Sequence, residues 1–184
     1  MHGSEKNLVE KLKNGDSDSL DEFVRRYGPR IYDLHCWLCR DPVAAEDLTQ
    51  ETVLAVLQGI AKFRGESRLY TWVYSVARNI ALRHLKQRER EGVSLDDIHD
   101  VECSENIEEL ACNAVLRQHV RDALNLLPVS QREVTVLHCL QGLTQAEVAA
   151  AVERPLGTVK WQIAQGLHAL RDALLRVGVD PNEL

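Results

Sequence analysis

Residues 144–175 read TQAEVAAAVERPLGTVKWQIAQGLHALRDALL, and the fold of the chain turns on them. Thr144, followed three residues later by Glu147, is a capping box that starts the apolar run QAEVAAAV. Glu153-Arg154-Pro155 makes a short turn, and a long helix follows over roughly 157–176. Two helices joined by a short turn, the second one long, form a helix-turn-helix pattern. At 100° per residue, Val159, Ile163, Leu167, Leu170 and Leu174 fall on one stripe, the expected core face. The opposite side presents Thr158, Trp161, Gln162, Gln165 and His168, with Lys160 on the flank. Two readings stand for Trp161: a surface side chain covered by protein, or a contact in a DNA groove. Glutamine bonds an adenine edge in the major groove, and aromatic or apolar groups meet a thymine methyl. The start of this helix, GTVKWQIAQG, has one lysine and no arginine. It therefore lacks the sequence-independent grip on phosphate, which another part of the assembly must supply.

Upstream, helices continue and strand patterns are almost absent. AVLRQHVRDALNLL ends at Pro128, and Ser130 with Glu133 predicts a second capping box ahead of QREVTVLHCL. Near the N-terminus, SLDEFVRRYGPRIYDLHCWLC has helical spacing with an expected break at Gly28-Pro29. Asp41-Pro42 reads as N-cap and first helical residue of a helix running to Ile60, with Gly59 close to its end. KFRGES is a loop, and Ser67 is the expected cap of RLYTWVYSVARNIALRHLKQRER. The fold class is all-α: two small helical domains, 1–90 and 113–184, joined by the linker 91–112.

Charge follows the same partition. Formal net charge is −6, which taken alone argues against a nucleic-acid partner. Yet residues 91–112 hold eight acids and no Lys or Arg, whereas residues 60–90 hold eight Lys or Arg against two acids. A local basic patch matters more to a polyanion than the total does. Residues 113–184 carry seven of each sign, too neutral to bind duplex DNA alone. No run of 18 apolar residues and no apolar signal core occur, so no membrane insertion is expected and the cytoplasm is the expected compartment. Five cysteines there are expected to be reduced. In HCWLC, Cys36 and Cys39 share a helix face beside His35. They read as small buried thiols, or as an incomplete zinc set that Cys103 or Cys112 completes if the linker folds back. No cofactor is expected, and no phosphate loop, metal set or nucleophile-base pair points to an enzyme.

DPVAAEDLTQETVLAVL, then FRGESRLYTWVYSVARNIALRHLK, then LPVSQREVTVLHCLQGLTQAEVAAAVERPLGTVKWQI resemble, in that order, an extracytoplasmic-function sigma factor of bacterial RNA polymerase. The resemblance covers about residues 8–175 and rests on three motifs at the family's spacing. It implies a promoter-specificity subunit with two helical domains, sigma regions 2 and 4. It implies that Asp47, Leu48, Gln50 and Glu51 dock on the clamp helices of the polymerase's largest subunit. It implies that Lys62 to Tyr74, with Arg78 and Asn79, open the minus-10 element of promoter DNA. The last domain is implied to bind the flap of the second large subunit and to read the minus-35 element, and an anti-sigma factor is an implied partner.

The residues themselves supply reasons. Opening a duplex costs unstacking energy, offset by aromatic faces and a cationic groove for the single strand. Candidates for that work are Lys62, Arg64, Ser67, Arg68, Tyr70, Trp72, Arg78, Asn79, Arg83 and Lys86. Trp72 divides evenly between core and DNA, and Arg64 and Arg68 flank a loop glycine. Asp47, Gln50 and Glu51 are by themselves an ordinary solvated face. The minus-35 candidates are Thr158, Lys160, Trp161, Gln162 and Gln165. The acidic linker is either a solvated tether or, as in the family, a strand mimic in the polymerase's RNA channel. This chain departs from the family at Ser75, Trp161, Gln162 and Gln165, where arginine or serine-arginine is usual. An independent helix-turn-helix regulator and a decoy that occupies polymerase without selecting promoters are the competing readings.

Overall fold

The computed structural model describes residues 3–92 and 114–178, and every regular element among them is helical. They fall into two compact units. The acidic segment expected as a linker lies, beyond its first two residues, outside the described residues.

In the first unit, α1 (Gly3–Lys13) buries Leu8, Val9 and Leu12, a helical spacing within a stretch whose polarity hides it. Asp16 caps α2 (Ser17–Cys39), its carboxylate accepting from the Ser19 N–H at 3.1 Å. The expected break at Gly28-Pro29 is corrected here: α2 runs unbroken through Pro29. An interior proline costs a helix about 3 kcal/mol. Phe23, Tyr27, Ile31, Leu34 and Leu38 are buried on both sides of it, at about 1.5–3 kcal/mol each, which outweighs that cost. α3 (Pro42–Gly59) starts as expected: Asp41 Oδ1 accepts from the Ala44 N–H at 3.0 Å and Pro42 takes the first turn. A single 3₁₀ turn, Ile60–Lys62, leads into the loop, and α4 (Leu69–Arg90) follows. Ser67 is not its cap: Arg68 holds that position without a side-chain bond, and Ser67 Oγ bonds only the Arg68 carbonyl, at 3.3 Å. α2, α3 and α4 pack against one another around Leu34, Leu38, Val56, Leu69 and Tyr74. Asp41 also pairs with Arg88 at 3.1 Å, fastening the start of α3 to the end of α4.

The second unit is built around its last helix. α5 (Ala114–Asn125), α6 (Val129–Thr135) and α7 (Gln145–Val152) all pack on α8 (Leu156–Arg176). α6 continues into a π-helical turn, Val136–Leu140, closed by the Gln141 N–H on the Val136 carbonyl at 3.0 Å. The His138 ring donates from Nδ1 to the Leu143 carbonyl at 2.7 Å and holds the chain as it leaves this turn. The Thr144–Glu147 capping box forms on both arms. The box expected at Ser130 and Glu133 does not. Pro128 stands at the N-cap, and Glu133 is buried against Arg154 instead. Buried Arg132 satisfies carbonyls at the end of α5 and just after it, donating from Nε to Leu124 at 3.1 Å and from Nη2 to Leu127 at 3.2 Å.

Candidate nucleic-acid interface

The first candidate surface lies where α2, the loop after α3 and the start of α4 meet. Phe63 and Trp72 stack with ring centroids 5.0 Å apart. Trp72 lies over Gly59, where a Cβ would stand 3.2 Å from its ring. Trp72 is therefore half-buried, a support for the loop with one side open. The Lys13 ammonium donates to the Phe63 carbonyl at 2.8 Å, anchoring the loop to α1. Lys62, Arg64 and Arg68 are exposed and Ser67 half-exposed on this supported loop. Arg64 lies 3.8 Å from Glu66, both mostly in water, a pairing worth at most about 1 kcal/mol.

Tyr70 is buried, not presented as a stacking platform: its ring meets Tyr74 edge-on at 4.4 Å and Tyr27 at 6.4 Å. Burial pushes the Tyr27 and Tyr74 phenols above the ordinary tyrosine range, so both stay neutral. Two arginines that the sequence reading missed sit over this cluster, Arg26 over the Tyr27 ring and Arg30 over the Tyr70 ring, each at 5.5 Å. The signal was present in VRRYGPR, three arginines around a tyrosine, but it stands on a helix distant in sequence from the basic run.

Further along α4, Arg78, Asn79, Arg83, Lys86 and Arg90 line an open trough with Leu82 and Gln87. Asn79, Arg83 and Lys86 are exposed, whereas Arg78 is buried and bonds Asn79 Oδ1 from Nη1 at 3.1 Å. Arg83 pairs with Glu51 of α3. On α3, Asp47, Gln50 and Glu51 are exposed and share that face with the apolar side chains of Val43 and Leu54. Leu48 is not part of the surface, because its side chain is packed into the bundle.

His35, Cys36 and Cys39 are all buried in the helix pack, the environment expected of small structural thiols. His35 Nε2 bonds Thr52 Oγ1 at 2.9 Å. Cys103 and Cys112 lie outside the described residues.

The second candidate surface is the open side of α8. Thr158, Lys160, Trp161, Gln165 and His168 are exposed, Trp161 at 58%. Gln162 departs from the wheel reading: it is buried, and its Oε1 accepts from Arg154 Nη1 at 3.2 Å. Leu167, expected in the core, is 45% exposed. Both shifts have one cause. The buried arc of α8 is turned by about 40° toward the side holding Gln162 and Gly166. Gly166 lies so close to Thr135 of α6 that a Cβ there would overlap Thr135 Oγ1.

Residues 23–91 match the family model for sigma-70 region 2, and residues 117–170 match that for sigma-70 region 4. The chain is 31% identical over 175 residues to the ECF RNA polymerase sigma-E factor of Escherichia coli, covering 89% of this chain and 90% of that protein. It is 29% identical over 177 residues to the RNA polymerase sigma-H factor of Pseudomonas aeruginosa, covering 91% and 92%. In fold it is similar to the sigma factor RpoE of Bartonella quintana, solved with the anti-sigma factor NepR. There the TM-score is 0.70 at 22% identity, over 84% of this chain and 95% of that one. It is also similar to CnrH, solved with the cytosolic domain of CnrY, with a TM-score of 0.71 at 19% identity over 94% and 97%. Two helical units with these two matches in this order are what a promoter-specificity subunit of bacterial RNA polymerase requires, and the chain belongs to the extracytoplasmic-function sigma factors of the sigma-70 family.

Proposed function

We propose that the two surfaces divide the work of promoter selection. The loop after α3 and the start of α4 take the melted minus-10 strand, with Lys62, Arg64, Ser67 and Arg68 on its backbone and the open side of Trp72 against a base. Arg26 and Arg30 extend the same cationic surface. The trough of Asn79, Arg83 and Lys86 carries adjoining backbone. The observation that carries this reading is the loop itself: exposed cations held on an aromatic support, the pairing that single strands favour. Arg78 and Tyr70 act from beneath, by holding Asn79 and the tyrosine cluster.

On α8, Trp161 and Gln165 meet base edges of the minus-35 element, and Thr158 and Lys160 meet phosphate. Asp47, Gln50 and Glu51, with Val43 and Leu54, dock on the clamp helices of the largest polymerase subunit, and the second unit docks on the flap of the second. Residues 1–90 and 113–184 are the two functional domains, and the acidic stretch 91–112 serves as a strand mimic in the polymerase's positively charged RNA channel. The protein works in the cytoplasm and has an anti-sigma partner; the similar RpoE of Bartonella quintana was solved with the anti-sigma factor NepR.

The test separates opening from docking. Arg64→Ala and Arg68→Ala are expected to reduce promoter opening by the holoenzyme about tenfold, read by permanganate footprints. Co-purification with core polymerase should stay unchanged. Equal loss of both would assign these arginines to the fold or the docking face.

A further inference from the structure

The second unit contains a polar cluster that neither surface uses. Arg154 sits in the turn between α7 and α8, just after Glu153, whose φ of 55° is the left-handed conformation that ends α7. Its own N–H bonds the Ala149 carbonyl at 3.1 Å, so the backbone is held. Its guanidinium turns inward. Nη2 lies 3.2 Å from Glu133 Oε2 on α6, a carboxylate whose side chain is only 1% exposed. Nη1 reaches the Ser130 carbonyl at 3.4 Å, at the start of α6, and Gln162 Oε1 at 3.2 Å, on the second turn of α8. One planar group thus joins α6, the turn and α8.

We propose that Arg154 is the positioning residue of the recognition helix: with Glu133 and Gln162 it sets the rotation of α8, and so decides which side chains face the minus-35 element. The inference rests on the reading of α8 as a groove helix. The close approach of Gly166 to Thr135 turns one side of α8 toward α6, but the apolar contacts hold that angle loosely, because Val159, Ile163 and Leu174 are interchangeable in character with Leu167 and Leu170. A sequence wheel drawn on the leucines alone puts Gln162 outside. The arginine fork is directional, and satisfying it requires Gln162 to face inward. Buried ion pairs add little net stability over apolar packing, but they can specify one arrangement among several of similar energy. Rolling α8 back by about 40° would carry Trp161 and Gln165 away from the bases that they meet and return Gln162 to the surface.

Core polymerase reconstituted with the full chain, transcribing a library randomised at the minus-35 element, tests this. Wild type should select a defined sequence. Arg154→Met should lower discrimination about tenfold across the contacted positions, with selection at the minus-10 element and binding to core unchanged; Arg154→Lys should restore part of it. A variant that only lowered the folded fraction would reduce output from every promoter equally and leave the selected sequences as they were, which would overturn the proposal. Should Arg154→Met fail to fold, the double variant Glu133→Gln/Arg154→Met, which removes the buried carboxylate together with its guanidinium, carries the same expectation and the same overturning result. Gln162→Met should likewise broaden several positions. A change confined to one position would make Gln162 a direct reader and overturn the proposal. A wild-type holoenzyme that selects no upstream sequence would end the groove-helix reading, and the proposal with it.

Discussion

At the scale of single residues, His35 and Gly166 show how closely the two cores constrain chemistry. Thr52 Oγ donates to the Leu48 carbonyl at 2.7 Å, so at 2.9 Å it must accept from His35, and His35 carries its proton on Nε2. Its Nδ1 is buried without a partner. Burial, with a smaller contribution from neighbouring His84, pulls the His35 pKa down to about 4 from 6.5. A depressed histidine is neutral in the fold and takes up a proton on unfolding. Its contribution is therefore complete above pH 6.5 and lost as the pH falls toward 4. The loss reaches about 3 kcal/mol at the acid end. Urea denaturation followed by tryptophan fluorescence at pH 7 and pH 4.5 should show it. His35→Gln, which still donates to Thr52, should lose that share of the pH dependence. At Gly166 the constraint is space. Alanine gains about 1 kcal/mol of helix propensity there, but its Cβ overlaps the hydroxyl of Thr135, which is itself held by the Gln131 carbonyl at 2.8 Å. Gly166→Ala should lower stability by about 1–3 kcal/mol. Combining it with Thr135→Ala should recover part of the loss, because the next atom, Thr135 Cβ, stands 3.3 Å away. Thermal melts of the two variants decide between a clash and a propensity gain.

At the scale of elements, helix ends matter more than helix middles. α7 has only eight residues, too few to persist alone, and its capping box satisfies donors at its start from both Thr144 and Glu147. Thr144→Ala should cost about 1 kcal/mol, read as a lower urea midpoint for the second unit. Holoenzyme transcription should fall only at temperatures near the melt. α6 has no side-chain cap and ends in a π turn, and it is held by tertiary contacts: Arg132 to the end of α5 and Glu133 to Arg154. α2 makes the same point with Pro29, since the cost of an unbonded turn is met by burial on either side.

At the scale of the whole molecule, charge is unevenly spread, and this predicts how the protein finds its promoter. Residues 113–184 are neutral and the start of their last helix has one lysine and no arginine, so few counterions are released when it meets duplex DNA. The free chain should bind duplex promoter DNA weakly at physiological salt. With core polymerase it should give specific opening, since cations of the first unit and of polymerase then add their phosphate contacts. Gel shifts of the free chain beside holoenzyme transcription check this. Tight sequence-specific binding by the free chain would favour an independent regulator.

The sequence by itself determined the helical class, the helix-turn-helix, the caps at Asp41 and Thr144 and the basic run over 60–90. Each of these rests on neighbours three or four residues apart, or on composition within one segment. The exposure of Arg64, Arg68, Trp161 and Gln165 was legible for the same reason, as was the burial of Cys36 and Cys39. Only the tertiary structure decided what depends on distant parts of the chain. It placed Arg30 over Tyr70, carried α2 through Pro29, took Glu133 from its expected cap to Arg154, and buried Tyr70, Arg78 and Leu48. It also turned α8 so that Gln162 faces inward and Leu167 outward. A wheel orders the residues of a helix around its axis, but the angle at which that wheel sits is set by partners on other helices, here Thr135 against Gly166 and Glu133 through Arg154.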